Sequence, residues 1–301
     1  MNTVIQTRQL SRRFGRKEAV KNLSIEVPRG SIYAFLGPNG AGKTTTIKML
    51  MNIIASSGGT AEVLGQAAGT LGREAFTRIG YVSENQKLPE WMTVRQFIAF
   101  CKPLYPGWDD AFCARLLQQF DLPLDRKLRH LSRGMKVKAA LLTSLAYKPE
   151  LLVLDEPFSG LDPLVRDEFI RGVLELTEES NWTVFVSSHD IDEVERLADW
   201  VGIINEGELK LSESTASLQA RFRQVEITTP VAAALPGSLP ASWLMPEQTA
   251  ATARWVDSQY DEAALAAAID QHFPGARVNG VAPMSLREIF LALARTYRLG
   301  R

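Results

Sequence analysis

The order of apolar and polar positions divides the chain into three textures. Over the first 60 residues, short apolar runs such as Leu23–Val27 and Ile32–Leu36 end on punctuation, at Pro28-Arg29-Gly30 and at Gly37-Pro38. That pattern predicts strands and hairpins. A helix is expected from Thr44 to Ile54, directly after the second run. From about residue 92 to 130 the period becomes helical, with Phe97, Ile98 and Cys101, then Phe112, Leu116, Leu117 and Phe120. Pro103, Pro106 and Gly107 break this stretch into two helices. The segment between Thr44 and Leu131 therefore reads as a mainly helical insertion.

A helix is expected near Ser132, followed by two continuous apolar runs, Leu151–Leu154 and Thr183–Val186. Four apolar residues in a row fit strands buried on both faces, as in a parallel sheet. Each run ends on polar residues, Asp155-Glu156-Pro157 and Ser187-Ser188-His189. That end of an open α/β sheet is where ligands bind. From about Phe222 the texture changes again. Strands are expected at Val225–Ile227 and Ala253–Val256 and a helix from Asp261 to Phe273. A closing helix opens on the capping box Ser285-Leu286-Arg287-Glu288. The expected organisation is a main domain over 1–221, with a helical part at about 85–148, and a small α+β domain over 222–301.

Composition narrows the class. Lys+Arg and Asp+Glu both total 34 in 301 residues, so no global basic field draws the chain onto nucleic acid. Arg12, Arg13, Arg16 and Lys17 form the densest basic patch and read as a solvated face. Cys101 and Cys113 are the two cysteines and lack metal-ligand spacing, which argues for a reducing compartment. His272 and His130 read as structural. Met1 to Arg8 is polar, without an apolar signal core. No stretch reaches about 18 consecutive apolar residues, so a membrane role requires another chain to supply the span.

The chemistry concentrates at Gly37-Pro38-Asn39-Gly40-Ala41-Gly42-Lys43-Thr44-Thr45, a complete G-x-x-x-x-G-K-[ST] phosphate loop between a strand and a helix. Its glycines let backbone N–H groups converge on phosphate oxygens. Lys43 would reach the β/γ-phosphates and the Thr44 hydroxyl would hold Mg²⁺. About 110 residues downstream, Asp155 is placed to bind Mg²⁺ through water, and Glu156 to polarise an attacking water as general base. These features imply binding of a nucleoside triphosphate.

Leu131-Ser132-Arg133-Gly134-Met135, just ahead of that strand, resembles the ABC ATPase signature LSGGQ. Other pieces resemble the same family in the expected order. Arg13-Phe14-Gly15 is similar to the adenine-stacking aromatic and Ile79–Glu84 to the Q-loop strand. Ser159-Gly160-Leu161-Asp162 is similar to the D-loop, and Ser187–Asp190 to the switch-histidine segment. The resemblance covers residues 3 to about 215 and implies a P-loop cassette with a mainly parallel core sheet, N-terminal antiparallel strands and a helical subdomain. It further implies a head-to-tail dimer of two copies of the chain, with two Mg-ATP between the phosphate loop of one and the signature of the other. Ser132 and Gly134 would then face the partner's γ-phosphate, with Asp162 nearby, while Phe14 stacks on adenine and His189 contacts the γ-phosphate. No covalent intermediate is needed.

Three positions depart from the family pattern. Glu84 stands where many members have Gln; it would still reach Mg²⁺ through water, with negative charge added beside the triphosphate. Arg133 replaces a Gly and Met135 a Gln. Arg133 is read as a solvated side chain pointing away, with added positive charge near the trans phosphate as the alternative. LSRGM with Glu at the Q-loop resembles single-cassette exporters whose permease is a separate chain. This implies a location on the cytoplasmic face of the membrane. Leu88 and Trp91, in the segment from Asn85 onward, are the expected permease contact, and Tyr105 and Trp108 the pins of the inter-helix turn. A soluble, non-transport ABC ATPase is the alternative. A P-loop GTPase is disfavoured by the lack of an N-K-x-D motif.

Overall fold

The computed structural model describes residues 3–84, 86–180, 182–230 and 235–299. They form two compact units, Met1–Ser212 and Glu213–Arg301. In the first, strands β1 (Thr3–Phe14), β2 (Lys17–Leu23) and β3 (Glu26–Pro28) precede β4 (Ile32–Leu36), which is buried at every position. Helix α1 (Lys43–Leu50) follows the loop. It ends four residues short of the expected Ile54, where Asn52 takes φ 52 and turns the chain out of the helix. Strands β5 (Gly58–Val63) and β6 (Gln66–Ala67) and the short helix α2 (Arg73–Phe76) come next, before β7 (Ile79–Ser83). The segment read as mainly helical therefore begins with strands. β5 is exposed over Gly58–Thr60, so its sequence carries no apolar alternation to announce it.

Helices α3 (Val94–Cys101) and α4 (Asp110–Gln119) flank the Pro103–Gly107 break. Thr93 and Gln96 close a reciprocal capping box on α3, and Asp109 caps α4. Tyr105 pins the break by stacking on Tyr147, with centroids 3.9 Å apart and planes at 2°. Helix α5 (Arg133–Leu145) leads to β8 (Leu151–Asp155), α6 (Pro163–Ser180), β9 (Thr183–Ser188), β10 (Trp200–Asn205) and β11 (Glu208–Ser214).

An antiparallel sheet, ordered β2-β1-β5-β6 with β3 also on β1, lies beside a six-stranded sheet ordered β11-β10-β4-β9-β8-β7. Strands β10, β4, β9, β8 and β7 are parallel throughout. Parallel strands need both faces covered, which explains the unbroken apolar runs of β4, β8 and β9. One buried apolar cluster of this unit runs from Ile5 and Val27 of the first sheet through Phe35, Ile47, Val153 and Phe185.

In the second unit, α7 (Thr215–Arg221) and β12 (Arg223–Thr228) precede β13 (Trp243–Thr249), β14 (Thr252–Asp257), α8 (Glu262–His272), β15 (Arg277–Pro283) and α9 (Leu286–Leu299). The sheet order is β13-β14-β12-β15, antiparallel throughout. Trp243 and Trp255 stack at 4.3 Å over Leu265, Ile269 and Phe273. His272 meets the edge of the Trp243 ring at 5.9 Å, in keeping with a packing role. Among the described residues, no helix is long and apolar enough to cross a membrane.

Candidate nucleotide site

The parallel register builds the site. Ser83 of β7 pairs with Asp155 of β8, Asp155 with Ser187 of β9, and Ser188 with Leu36 of β4. The four strands thus end within one residue of the same level, and the residues that follow them share one edge: Glu84, Glu156, His189 and Gly37. Backbone bonds tie the row together, with Glu84 N–H donating to the Asp155 carbonyl at 2.9 Å and Gly37 N–H to the Ser188 carbonyl at 3.3 Å.

The phosphate loop turns from β4 into α1 through Gly42 at φ 113. A Cβ there would lie 2.6 Å from the Ala19 carbonyl oxygen, so only glycine fits. Lys43 opens α1 and is 5% exposed. Its Nζ donates to the carbonyls of Gly37 at 2.6 Å and Pro38 at 3.1 Å and meets Glu156 Oε1 at 2.9 Å. The second Glu156 oxygen lies 2.7 Å from His189 Nδ1. Lys43, Glu156 and His189 therefore form one connected chain across the floor of the cleft. Glu156 itself holds a left-handed backbone conformation, φ 52, rare for a residue with a side chain. The Ser187 hydroxyl fixes that turn by accepting its N–H at 3.0 Å.

Asp155 lies beneath, 2% exposed, and accepts from Thr44 Oγ1 at 3.0 Å and Ser187 Oγ at 2.9 Å. Burial raises its pKa above the ordinary value; the Ser187 and Thr44 hydrogen bonds oppose this, and the nearby Glu156 charge adds to it. A hydroxyl beside a buried carboxylate is a donor set suited to Mg²⁺, which takes few protein oxygens and completes its shell with water and phosphate.

The cleft above has a volume of about 560 Å³. Of the residues singled out in the sequence, Phe14, Asn39, Gly40, Gly42, Lys43, Thr44, Thr45, Glu84, Glu156 and His189 line it. Lys17 and Ala19, which carry no motif signal, line it as well, as does Ser159 at the start of the D-loop segment. Phe14 is 47% exposed, with the Arg12 guanidinium 4.6 Å from its ring centroid. Gly37, Pro38, Ala41 and Asp155 adjoin the cleft without lining it, and Ser132, Gly134 and Asp162 lie off it. Ser132 caps α5, accepting the Met135 N–H, and Gly134 is buried in the first turn of that helix. Asp162 accepts the Val165 N–H at 3.1 Å at the start of α6.

Arg133 corrects the reading of a side chain pointing away. It turns back, and its Nη2 donates to Glu84 Oε1 at 2.5 Å; the Ser159 hydroxyl donates to the same oxygen at 2.8 Å. Burial pushes the Glu84 carboxyl up, but the Ser159 and Arg133 hydrogen bonds and the Arg133 charge outweigh it, leaving the pKa below the ordinary value. An acidic partner within reach holds the arginine in.

A second concavity, about 470 Å³, opens beside the Q-loop between Ile53, Leu88, Phe97, Phe100 and Tyr105. Leu88 lines it, whereas Trp91, 67% exposed, lies outside its lining. Asn85 falls outside the described residues.

The ABC transporter family profile matches residues 20–159. The bacitracin transport ATP-binding protein BcrA of Bacillus licheniformis is 37% identical over 211 residues, covering 69% of each chain. The chain belongs to the ABC transporter family. It is an ATPase cassette of that family, and the fold agrees. A solved ATP-binding subunit of an ABC transporter superposes with a TM-score of 0.65 at 26% identity, over 72% of this chain and 92% of that one. A dimeric ATP-binding cassette bound to ADP and Pi superposes with a TM-score of 0.63 at 20% identity, over 70% of this chain and 98% of that one. At that identity the second likeness bears on the fold alone.

Proposed function

We propose that this cassette hydrolyses ATP as a head-to-tail dimer of two copies and drives a separate membrane permease in export. The chain Lys43–Glu156–His189 at the mouth of the phosphate loop carries the hydrolytic part. Lys43 faces the β/γ-phosphates, Glu156 takes the proton of an attacking water, and His189 holds Glu156 and contacts the γ-phosphate. Backbone N–H groups of residues 37–45 cradle the triphosphate and Phe14 stacks on adenine. Thr44 and Asp155 hold Mg²⁺ directly or through water, with Glu84 at the border of the site. The bound ion would offset the charge of the phosphoryl oxygens.

Ser132, Gly134 and Asp162 lie off the cleft of their own subunit, which supports their facing the partner's nucleotide. The N-terminus of the 13-residue α5 provides the positive dipole end for that role. Leu88 and the concavity around it fit a short permease helix, and the permease would hold the cassette at the cytoplasmic face. A transport role is supported by the bacitracin transport protein among the relatives.

The test is purification with membrane components followed by ATPase assays of wild type and Glu156→Gln. Lost turnover with retained ATP-driven dimerisation supports the reading. Full activity in the variant overturns the role of Glu156, and purification without any polytopic partner favours a soluble ATPase.

A further inference from the structure

We propose that Arg133 and Glu84 are a matched pair in which Arg133, from the signature helix, neutralises the Glu84 carboxylate within the same subunit and so positions the Q-loop. The inference rests on the ATPase reading and concerns two of the three positions that depart from the family pattern. Separately, each departure is unfavourable. A carboxylate at 84 lines the same cleft as Lys43 and Thr44, where a polyanionic nucleotide binds. A long cation at 133 occupies the first turn of a helix, where the dipole disfavours positive charge. Together they cancel.

The geometry is that of a three-way junction. Glu84 follows β7, Arg133 opens α5, and Ser159 and Gly160 lie in the turn after β8. Glu84 Oε1 accepts from both Arg133 and Ser159. Gly160, at φ 67, lies directly under the guanidinium: a Cβ there would meet Arg133 Nη1 at 2.7 Å. A side chain there would have to displace the guanidinium from its present position. The side chains are 49% and 29% exposed, so the pair adds little to stability. Its consequence is charge placement: the Glu84 carboxylate is drawn toward Arg133 and shielded from the triphosphate.

Arg133 is a positioning residue, and its effect depends on the residue at 84. The experiment compares wild type, Arg133→Ala, Glu84→Gln and the double variant. Equilibrium affinity for ATP is measured with Mg²⁺ and with EDTA, and turnover is measured alongside. Arg133→Ala exposes an uncompensated carboxylate, and the expected loss is about tenfold in ATP affinity, present in EDTA as well as in Mg²⁺. The double variant is expected to return within about twofold of Glu84→Gln. Arg133→Lys, which keeps the charge without the planar fork, should fall between Arg133→Ala and wild type. Wild-type affinity in Arg133→Ala overturns the pair. So does a deficit that persists in the double variant, which would mean that Arg133 acts on the partner's nucleotide instead. Absence of ATP binding by wild type would sink the underlying ATPase reading, whereas normal wild-type binding with additive variants sinks the pair alone.

Discussion

Lys43 and Glu156 form a buried ion pair, Nζ to Oε1 at 2.9 Å, with both residues less than a tenth exposed. Each is the other's partner and each has a second duty: Lys43 holds the loop carbonyls and Glu156 holds His189. Glu156→Gln keeps the shape and the hydrogen-bond reach but removes the proposed base. Turnover is expected to fall by about 100-fold or more with ATP binding retained, measured by phosphate release and equilibrium binding. Undiminished turnover would exclude Glu156 as the base.

Lys43→Ala removes the cation from the same pair and leaves a buried carboxylate beside His189. Stripping one partner from a buried pair is destabilising, here by no more than about 3 kcal/mol because His189 remains within reach. Thermal unfolding should show a lower Tm than wild type, together with loss of ATP binding. An unchanged Tm would mean that Glu156 is solvated in solution.

Phe14 presents its ring at the cleft mouth with Arg12 set over it. Arg12 is anchored in turn, its Nη1 donating to the Ala55 carbonyl at 2.7 Å. Phe14→Ala should weaken ATP affinity by about five- to tenfold, the worth of one stacking contact, whereas Phe14→Trp should preserve it. Equal affinity in both variants would assign Phe14 to packing.

The concavity beside the Q-loop contains Leu88 and Phe100, and Phe100 is 54% exposed. A charge in an apolar docking site costs the whole contact. Phe100→Asp should lower co-purification with the proposed permease severalfold in a pull-down, while Trp91→Ala, outside the lining, should have the smaller effect. The reverse order would move the docking surface onto Trp91.

Glu150 bridges two arginines, accepting from Arg78 Nε at 2.6 Å and Arg29 Nη1 at 3.0 Å. The Arg78 hydrogen bond, opposed by burial and reinforced by Arg29, holds its pKa below the ordinary 4.5. A depressed carboxylate stabilises the fold above its unfolded pKa and loses that contribution as pH falls through the folded one. The groups are more than a third exposed, so the contribution is below about 1 kcal/mol. Glu150→Gln should lower Tm slightly at pH 7, and the difference should begin to shrink near pH 4.5 and vanish once pH falls below the lowered folded-state value. A difference that persists there would point to packing.

Much of the main unit was legible because its signals are local or strongly periodic. The phosphate loop, the apolar runs of β8 and β9 and the Pro103–Gly107 break each name their own structure. β13 carries a proline, Pro246, beside Met245 at φ 51, and its register to β14 shifts there. β15 is exposed at all but one position. Neither presents the alternation that marks a strand, so both were invisible. The orientation of Arg133 was misread for another reason: its partner Glu84 is 49 residues away in sequence, and only the fold brings them together.

The alignment of Ser83, Asp155 and Ser187 across β7, β8 and β9, with Leu36 beside Ser188, makes the site hostage to strand register. A slip of one residue in β9 would point Ser187 to the opposite face, release the Asp155 carboxylate and the Glu156 N–H together, and carry His189 out of reach. Core residues such as Val153 and Phe185, which are buried and do not line the cleft, are therefore guardians of catalysis. Damage to the sheet should appear first as lost turnover, before any loss of overall structure is visible.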